Sequence, residues 1–279
     1  MIKFNLHSHT TFSDGLLPME DLANCASGHD LQILGISDHA PAFFHSKWNM
    51  KYHEIKNYIS QFNLIKKQIS NLHLLLGMEV DFFPNLKNNA YFLSFGLDYT
   101  IGSVHYLDCF PDQTPFNIDS SAQTFLNGLK IIFNNNPKSM AELYYSYIIQ
   151  MLKTDPPTIL GHINIIEKFN FKLNNILQTD KLWYKQLLEQ TIIALSKTQT
   201  ILEINARPWY LNLTPTPLPD KNTIQLAVKH NIPITISGDV HKPEEFGMYW
   251  NDTIEYAKYC GVKYISYLDQ NAQIKSFKI

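Results

Sequence analysis

His7-Ser8-His9-Thr10-Thr11-Phe12-Ser13-Asp14-Gly15 is the stretch whose reading decides the fold. It follows the apolar opening Met1 to Leu6 and reads as a first strand, Ile2 to His7, running into a turn. Residues two apart on a strand point to the same face. His7 and His9 therefore present two imidazoles side by side, and neutral imidazole is a good ligand for zinc, iron and other borderline divalent ions. Asp14 adds a hard oxygen in the turn, and Gly15 lets that turn be sharp. Two histidines one apart also arise by chance, so the weight of this motif depends on what other strands carry at their ends.

Working outward, short apolar runs alternate with helical stretches. Pro18 opens a helix through Ala26, with Glu20 and Asp21 at its positive end. Leu31 to Ser37 reads as a strand, Ala40 to Met50 as an aromatic loop, and Tyr52 to Ser70 as a helix with Ile55, Ile59, Phe62, Ile65 and Ile69 on one stripe. Further strands are expected at His73 to Met78, Tyr99 to Val104, Thr158 to Gly161, Thr200 to Ile204, Pro233 to Ser237 and Val262 to Leu268. Helices are expected at Ala122 to Asn134, Met140 to Lys153, Asp180 to Lys197, Thr223 to His230 and Thr253 to Cys260; Asp108 to Ser121 and Pro208 to Pro219 read as loops. This alternation implies an α/β fold with a parallel sheet, either a closed barrel or a doubly wound sheet.

The ends of those strands carry His7 and His9, Asp38 and His39, Glu79, His105, His162, and Asp239 with His241. In a barrel every strand C-terminus lies on one face, so residues distant in sequence converge there. Singly, each has an ordinary explanation as a cap, a satisfied core histidine or a surface acid. Jointly, buried ionisable groups are costly unless paired or bound to metal, and a mixed histidine and carboxylate set suits zinc, manganese or iron. The set is too large for one catalytic ion and fits two or three, with Glu79 able to bridge. His29, His45, His53, His73 and His230 fall outside it, and only His45, in the aromatic loop, stands where it could reach a substrate.

Composition sets bounds. The 279 residues fit a single domain, residues 1–279, with 45% hydrophobic residues to fill its core. A formal charge of −2 gives no electrostatic case for nucleic acid. Cys25, Cys109 and Cys260 are few and far apart, which suits a reducing compartment. With no signal peptide and no apolar run of membrane-span length, the expectation is a cytoplasmic protein with no membrane partner.

Taken together, these stretches resemble the polymerase and histidinol phosphatase (PHP) family, in its histidinol-phosphatase branch. The resemblance rests on His7 to Gly15, Ser37-Asp-His-Ala-Pro41 with Trp48-Asn-Met50, Gly77 to Asp81, Asp98 to His105, Gly161-His162, Glu203-Ile-Asn-Ala-Arg207 and Ile236 to His241. It implies a distorted (β/α)7, TIM-like barrel with three metals. One would be held by His7, His9, Glu79 and Asp239. A second would be held by Glu79, His105 and His162, and a third by Asp14, His39 and His241. It also implies hydrolysis of a small phosphate ester, L-histidinol phosphate in histidine synthesis, through attack by a hydroxide bridging two metals. Arg207 matches a phosphate-contacting residue. Asp239 and His241 stand near the leaving group, and His45, Trp48 and Lys168 are further candidates for substrate contact. Departures fall at Asn164, Ile165 and Glu167, where relatives often carry Asp and basic residues, and at Gly238, where Ser is common.

Three rivals remain at this point. Another small phosphate ester would use the same chemistry. An amidohydrolase would expect a bridging carboxylated lysine where Glu79 stands, and would leave Asp239-Val-His241 unexplained. A non-catalytic metal-binding regulator would be expected to have lost ligands. No nucleophile motif of the GxSxG kind is present.

Overall fold

The computed structural model describes residues 2–86 and 88–279. Its strands in chain order are β1 (Phe4–Asn5), β2 (Ile33–Ile36), β3 (His73–Asp81), β4 (Tyr99–Ser103), β5 (Tyr106–Cys109), β6 (Pro115–Asn117), β7 (Ile159–Leu160), β8 (Ile201–Asn205), β9 (Ile234–Ser237), β10 (Tyr264–Leu268) and β11 (Ile274–Lys278). Seven of them pair in parallel in the order β1-β2-β3-β4-β7-β8-β9. The ring nearly closes beyond the regular strands. Ser8 bridges Val240 in parallel, His9 N donates to Val240 O (2.8 Å), and Val240 N donates to His7 O (3.0 Å). The distorted seven-stranded TIM-like barrel expected from the motifs is the observed architecture.

Helices pack around this ring: α1 (Met19–Gly28), α2 (Ile55–Gln68), α3 (Asn89–Leu93), α4 (Ala122–Ile131), α5 (Pro137–Thr154), α6 (Leu182–Leu195), α7 (Arg207–Tyr210), α8 (Lys221–Lys229) and α9 (Trp250–Tyr259). Their sequences explain why they form and where they stop. In α2 the buried residues Ile55, Tyr58, Phe62 and Ile65 recur every three or four positions, so one stripe faces the strands. The N-terminus of α5 has Pro137 in its first turn, and the Asn136 side chain accepts from Lys138 N and Ser139 N. The strands β2 and β9 are buried at every position, as strands covered on both faces must be.

Inside the barrel the Tyr99 ring crosses to the neighbouring strands, and its hydroxyl donates to Leu6 O (2.6 Å). Gly35 and Gly77 leave the space it occupies, since a Cβ at either position would collide with the ring. A large side chain thereby fills the lower barrel and leaves the C-terminal mouth for polar groups.

Three local expectations are corrected. The stretch Asp108 to Ser121 is not all loop: β5 and β6 form an antiparallel hairpin that packs on α4. The strand Val262 to Leu268 forms as β10, but it pairs antiparallel with β11, outside the parallel ring. The proline-rich stretch opens with the short helix α7. No helix among the described residues is long and apolar enough to cross a membrane.

Candidate metal centre

Each cluster residue stands at or just beyond the C-terminal end of a barrel strand. His7 and His9 follow β1, and Asp14 lies in the turn after them. His39 follows β2, where it bridges to Glu79 of β3; His105 follows β4, His162 follows β7, and Asp239 and His241 follow β9. Asp239 adopts φ +48, a left-handed conformation that non-glycine residues rarely hold without support. That support is visible: Arg207 NH1 donates to Asp239 O (3.0 Å) and Asn205 Nδ2 to Asp239 Oδ2 (3.1 Å).

Glu79 is the centre. Its Oε1 lies 2.9 Å from His162 Nε2 and 3.6 Å from His105 Nε2. Its Oε2 lies 3.0 Å from His39 Nδ1, 3.2 Å from His7 Nε2 and 3.5 Å from His9 Nε2. Asp239 Oδ1 sits 3.6 Å from His7 Nε2, 3.4 Å from His9 Nε2 and 3.4 Å from His241 Nδ1. Asp14 Oδ1 sits 3.3 Å from His241 Nε2, 3.5 Å from His9 Nδ1 and 3.8 Å from His39 Nε2. All nine residues expected as ligands are thus brought together. Donor atoms converge within 4.8 Å of one another in several overlapping groups, among them Glu79 with His105 and His162, His7 with His9 and Glu79, and Asp14 with His9, His39 and His241.

The donor chemistry fits divalent metal. Among the described residues, His7 Nε2, His9 Nε2, Asp14 Oδ1 and Asp239 Oδ1 are buried without a hydrogen-bond partner. Buried polar atoms in that condition are rare and call for an explanation, and ion coordination supplies one. The electrostatics of the metal-free cluster agree at His9 and Glu79, while His105 holds a proton that an ion would displace. Burial, with the charges of His241 and His39, lowers His9 to about 3, which leaves its imidazole neutral at pH 7. Burial opposes ionisation of Glu79, but His39, His7 and His105 outweigh it and hold the carboxylate well below its ordinary value. Burial would lower His105, yet Asp81 and Glu79 raise it to about 10.

Comparison with known proteins then identifies the chain. Residues 5–207 match the PHP domain, most of the barrel. The chain belongs to the PHP family. A protein of Deinococcus radiodurans named a probable histidinol-phosphatase is 23% identical over 259 residues, covering 91% of each sequence. A candidate histidinol phosphatase, hisK, from Listeria monocytogenes has a crystal structure that superposes with a TM-score of 0.79 at 20% identity, over 90% of this chain and 99% of that one. The histidinol phosphate phosphatase HISK from Lactococcus lactis subsp. lactis, solved with zinc, L-histidinol and phosphate, superposes with a TM-score of 0.69 at 16% identity, over 98% of each chain.

Four carboxylates of this PHP barrel surround the donor set; Asp81, Glu203 and Glu245 escaped the reading of the sequence as site residues, whereas Asp38 was counted among the strand-end donors. Asp81 Oδ1 holds His105 Nδ1 at 2.8 Å, which turns His105 Nε2 toward Glu79. Asp38 was noticed at a strand end, but its role is structural: it accepts from Thr10 N, Thr10 Oγ1, Ser13 N and Ser13 Oγ and so pins the turn that carries Asp14. Glu245 Oε2 accepts from Arg207 NH1 (2.6 Å), His241 N (2.7 Å) and Lys242 N (3.2 Å). Glu203 contacts His7 and the backbone of His162.

Above the cluster lies a cavity of about 210 Å³. Among the nine residues of the cluster, His7 and His9 stay beneath it and the other seven line it. Trp48, Lys168 and Arg207 also line it, while His45 is exposed and faces a separate groove beside Thr11, Ser13 and Lys47. Arg207 lies between Glu245 and the cluster, so one arm of its guanidinium fork is already engaged. Lys168 Nζ pairs with Asp119 Oδ1 at 2.5 Å. Trp48 Nε1 donates to Tyr106 OH (2.9 Å), and Phe44 packs edge-on to the Tyr106 ring, so the aromatic loop forms one wall of the rim.

Of the departing residues, only Ile165 lines the cavity; Asn164 is buried and Glu167 turns to the Tyr184 hydroxyl, which donates to Oε1 (2.7 Å). Burial and the charge of Asp220 push the Glu167 carboxyl up to about 7. Between its ordinary value and that one, the folded state keeps a proton that the unfolded chain has released. Stability therefore falls as pH rises through this window and stays reduced above it. The expected result is that Glu167→Gln is more stable than wild type by about 3 kcal/mol at pH 8, with little difference at pH 4. Urea unfolding at the two pH values measures this, and an equal difference at both would refute the assignment.

Proposed function

We propose that this chain hydrolyses L-histidinol phosphate to L-histidinol and phosphate, with two or three divalent ions (zinc, manganese or iron) held by His7, His9, Asp14, His39, Glu79, His105, His162, Asp239 and His241. The observation that carries the reading is the orphaned, converging donor set beneath a small cavity whose remaining walls bear Arg207 and Lys168. The broader part, a phosphomonoester hydrolase, is supported by membership of the PHP family and by relatives that carry this activity in their names. Divalent ions bound there would neutralise phosphate charge and lower the pKa of water to near neutrality.

The chain's own residues supply the rest. Arg207 and Lys168 balance the phosphate oxygens, and guanidinium geometry suits that contact. Asp239 and His241 face the cavity beside Arg207, where the ester bond is cut. Trp48 and Tyr106 offer a flat aromatic wall to the ring of the alcohol. Among the described residues lining the cavity, Asp119 is the carboxylate that pairs with no histidine; its Oδ1 holds Lys168, and the carboxylate is placed to share its charge with the substrate ammonium.

The test is phosphate release from L-histidinol phosphate, its des-amino analogue and a panel of small phosphomonoesters, with zinc or manganese added and metal content assayed on the same sample. A strong preference for L-histidinol phosphate supports the reading. Activity spread evenly over the panel retains the phosphatase and discards the substrate. Asp119→Asn is expected to raise KM about tenfold more for L-histidinol phosphate than for the des-amino analogue, in line with a lost charged hydrogen bond, because the loss of its pair with Lys168 acts on both esters alike. Equal effects on both esters would remove Asp119 from amine recognition.

A further inference from the structure

Glu203 is buried in the middle of β8, in a run of apolar residues. Four groups converge on its two oxygens. His7 Nδ1 lies 2.7 Å from Oε1, and Ser237 Oγ donates to the same oxygen (2.6 Å). The backbone N–H of His162 donates to Oε2 (2.8 Å), and so does Asn205 Nδ2 (3.2 Å). The backbone N–H and the amide can only donate, so Oε2 must accept. The serine reaches Oε1 as a donor, and an ionised carboxylate leaves His7 Nδ1 no role except donation. Only an acceptor-only group with two oxygens satisfies all four.

We propose that Glu203 is a positioning residue that fixes His7 in the Nδ1–H tautomer and so directs the His7 Nε2 lone pair at the metal cluster. The inference rests on the reading of His7 as a ligand. The geometry on the far side of the ring agrees with it: His7 Nε2 faces Glu79 Oε2 and Asp239 Oδ1 and is orphaned. The same carboxylate reaches the cluster by two other routes. It holds the backbone of His162, and it binds the Asn205 amide that in turn holds Asp239 Oδ2. Glu203 therefore ties together residues following β1, β7 and β9. Outer partners of this kind set ligand orientation, and their loss typically weakens metal binding by about 10- to 100-fold.

Glutamine is the informative replacement because it keeps size and shape but puts an NH2 group where an acceptor is required. Turned toward His7, that NH2 demands the opposite tautomer and places a proton on the metal-facing nitrogen. Turned toward His162, it opposes a backbone N–H that cannot reverse.

The experiment uses 15N-histidine-labelled full-length protein, metal-free and loaded with zinc, with long-range NMR correlations to assign tautomers and competition titration for zinc affinity. In zinc-loaded wild type, His7 is expected to show Nδ1–H and a zinc-shifted Nε2. Glu203→Gln is expected to lose at least about tenfold in affinity for one zinc equivalent and to lose the Nδ1–H signal of His7. A purely structural role would lower the melting temperature without moving the tautomer. Wild-type His7 bound to zinc through Nδ1, or a Glu203→Gln variant with full affinity and an unchanged His7 spectrum, would overturn the proposal while leaving His7 a ligand. Wild-type His7 with no zinc contact would overturn the ligand reading and this proposal together. Should Glu203→Gln fail to fold, the wild-type spectrum still decides the tautomer.

Discussion

Glu79→Ala is expected to reduce kcat/KM for the phosphate ester by at least about 10⁴-fold, which corresponds to roughly 5.5 kcal/mol of transition-state stabilisation. Among the described residues no other side chain touches so much of the centre: its two oxygens reach His7, His9, His39, His105 and His162. Removing it takes the shared negative charge from the middle of an imidazole cluster and leaves Ser103 Oγ without its acceptor. Both the ions and the geometry that holds them should be lost. Glu79→Gln is the stricter variant, because it preserves volume and removes only charge and one acceptor. It should bind fewer zinc equivalents than wild type and lose activity by a similar factor. The check is metal analysis after dialysis, paired with kcat/KM on the same preparation. A Glu79→Gln variant with full metal content and activity within tenfold of wild type would remove Glu79 from the bridging role.

Why Glu79 was visible in the sequence and Glu203 was not is a matter of position. The proposed ligands His7, His39, His105, His162 and Asp239 stand just past short apolar runs, so the change from apolar to polar marks the strand end. A barrel puts all such ends on one face. Glu203 lies inside an apolar run, and one sequence does not say which way a mid-strand residue points. A signal was still available: a carboxylate flanked by Ile201, Leu202 and Ile204 is costly to bury unless it is paired. Asp81 had a plainer one, since it follows Glu79 by two residues and so shares its face. Glu245 offered none, because Lys242-Pro-Glu-Glu-Phe246 reads as solvated turn and its inward direction is set by donors from elsewhere in the chain.

The parallel sheet was legible from alternation alone and its curling into a barrel only through the family resemblance, whereas the hairpins were not legible. Strands β5 and β6 are only four and three residues long, and their pairing shifts register between Tyr106 and Cys109. Periodicity over so few residues is a weak signal. His45 shows the limit on loops. Its sequence neighbours Phe44 and Trp48 reach the rim, but the chain between them turns the imidazole to another groove. Side-chain direction in a loop follows from contacts rather than from a repeat.

Removing the metals should abolish activity and lower the melting temperature by about 10 °C. An ion present at a thousand times its dissociation constant stabilises the folded state by roughly 4 kcal/mol, and a domain of this size shifts by roughly 2–4 °C per kcal/mol. The same experiment carries a pH signature. In the metal-free protein burial would lower His7, but the charges of Asp239, Glu203 and Glu79 raise it well above its ordinary value. His105 is likewise raised, to about 10. At pH 7 the His105 ring therefore holds a proton on the nitrogen that faces Glu79, and an ion that takes that nitrogen must displace it. The sign follows: lowering the pH favours the protonated, metal-free form, so apparent metal affinity falls as pH falls and rises as pH rises toward 10. Zinc added to chelator-stripped protein in weakly buffered solution at pH 7 should release at least about one proton per molecule, from His105. Calorimetry in two buffers of different ionisation enthalpy measures that number. Zinc binding with no proton release, or affinity that weakens as pH rises from 6 to 8, would show that His105 is not a ligand.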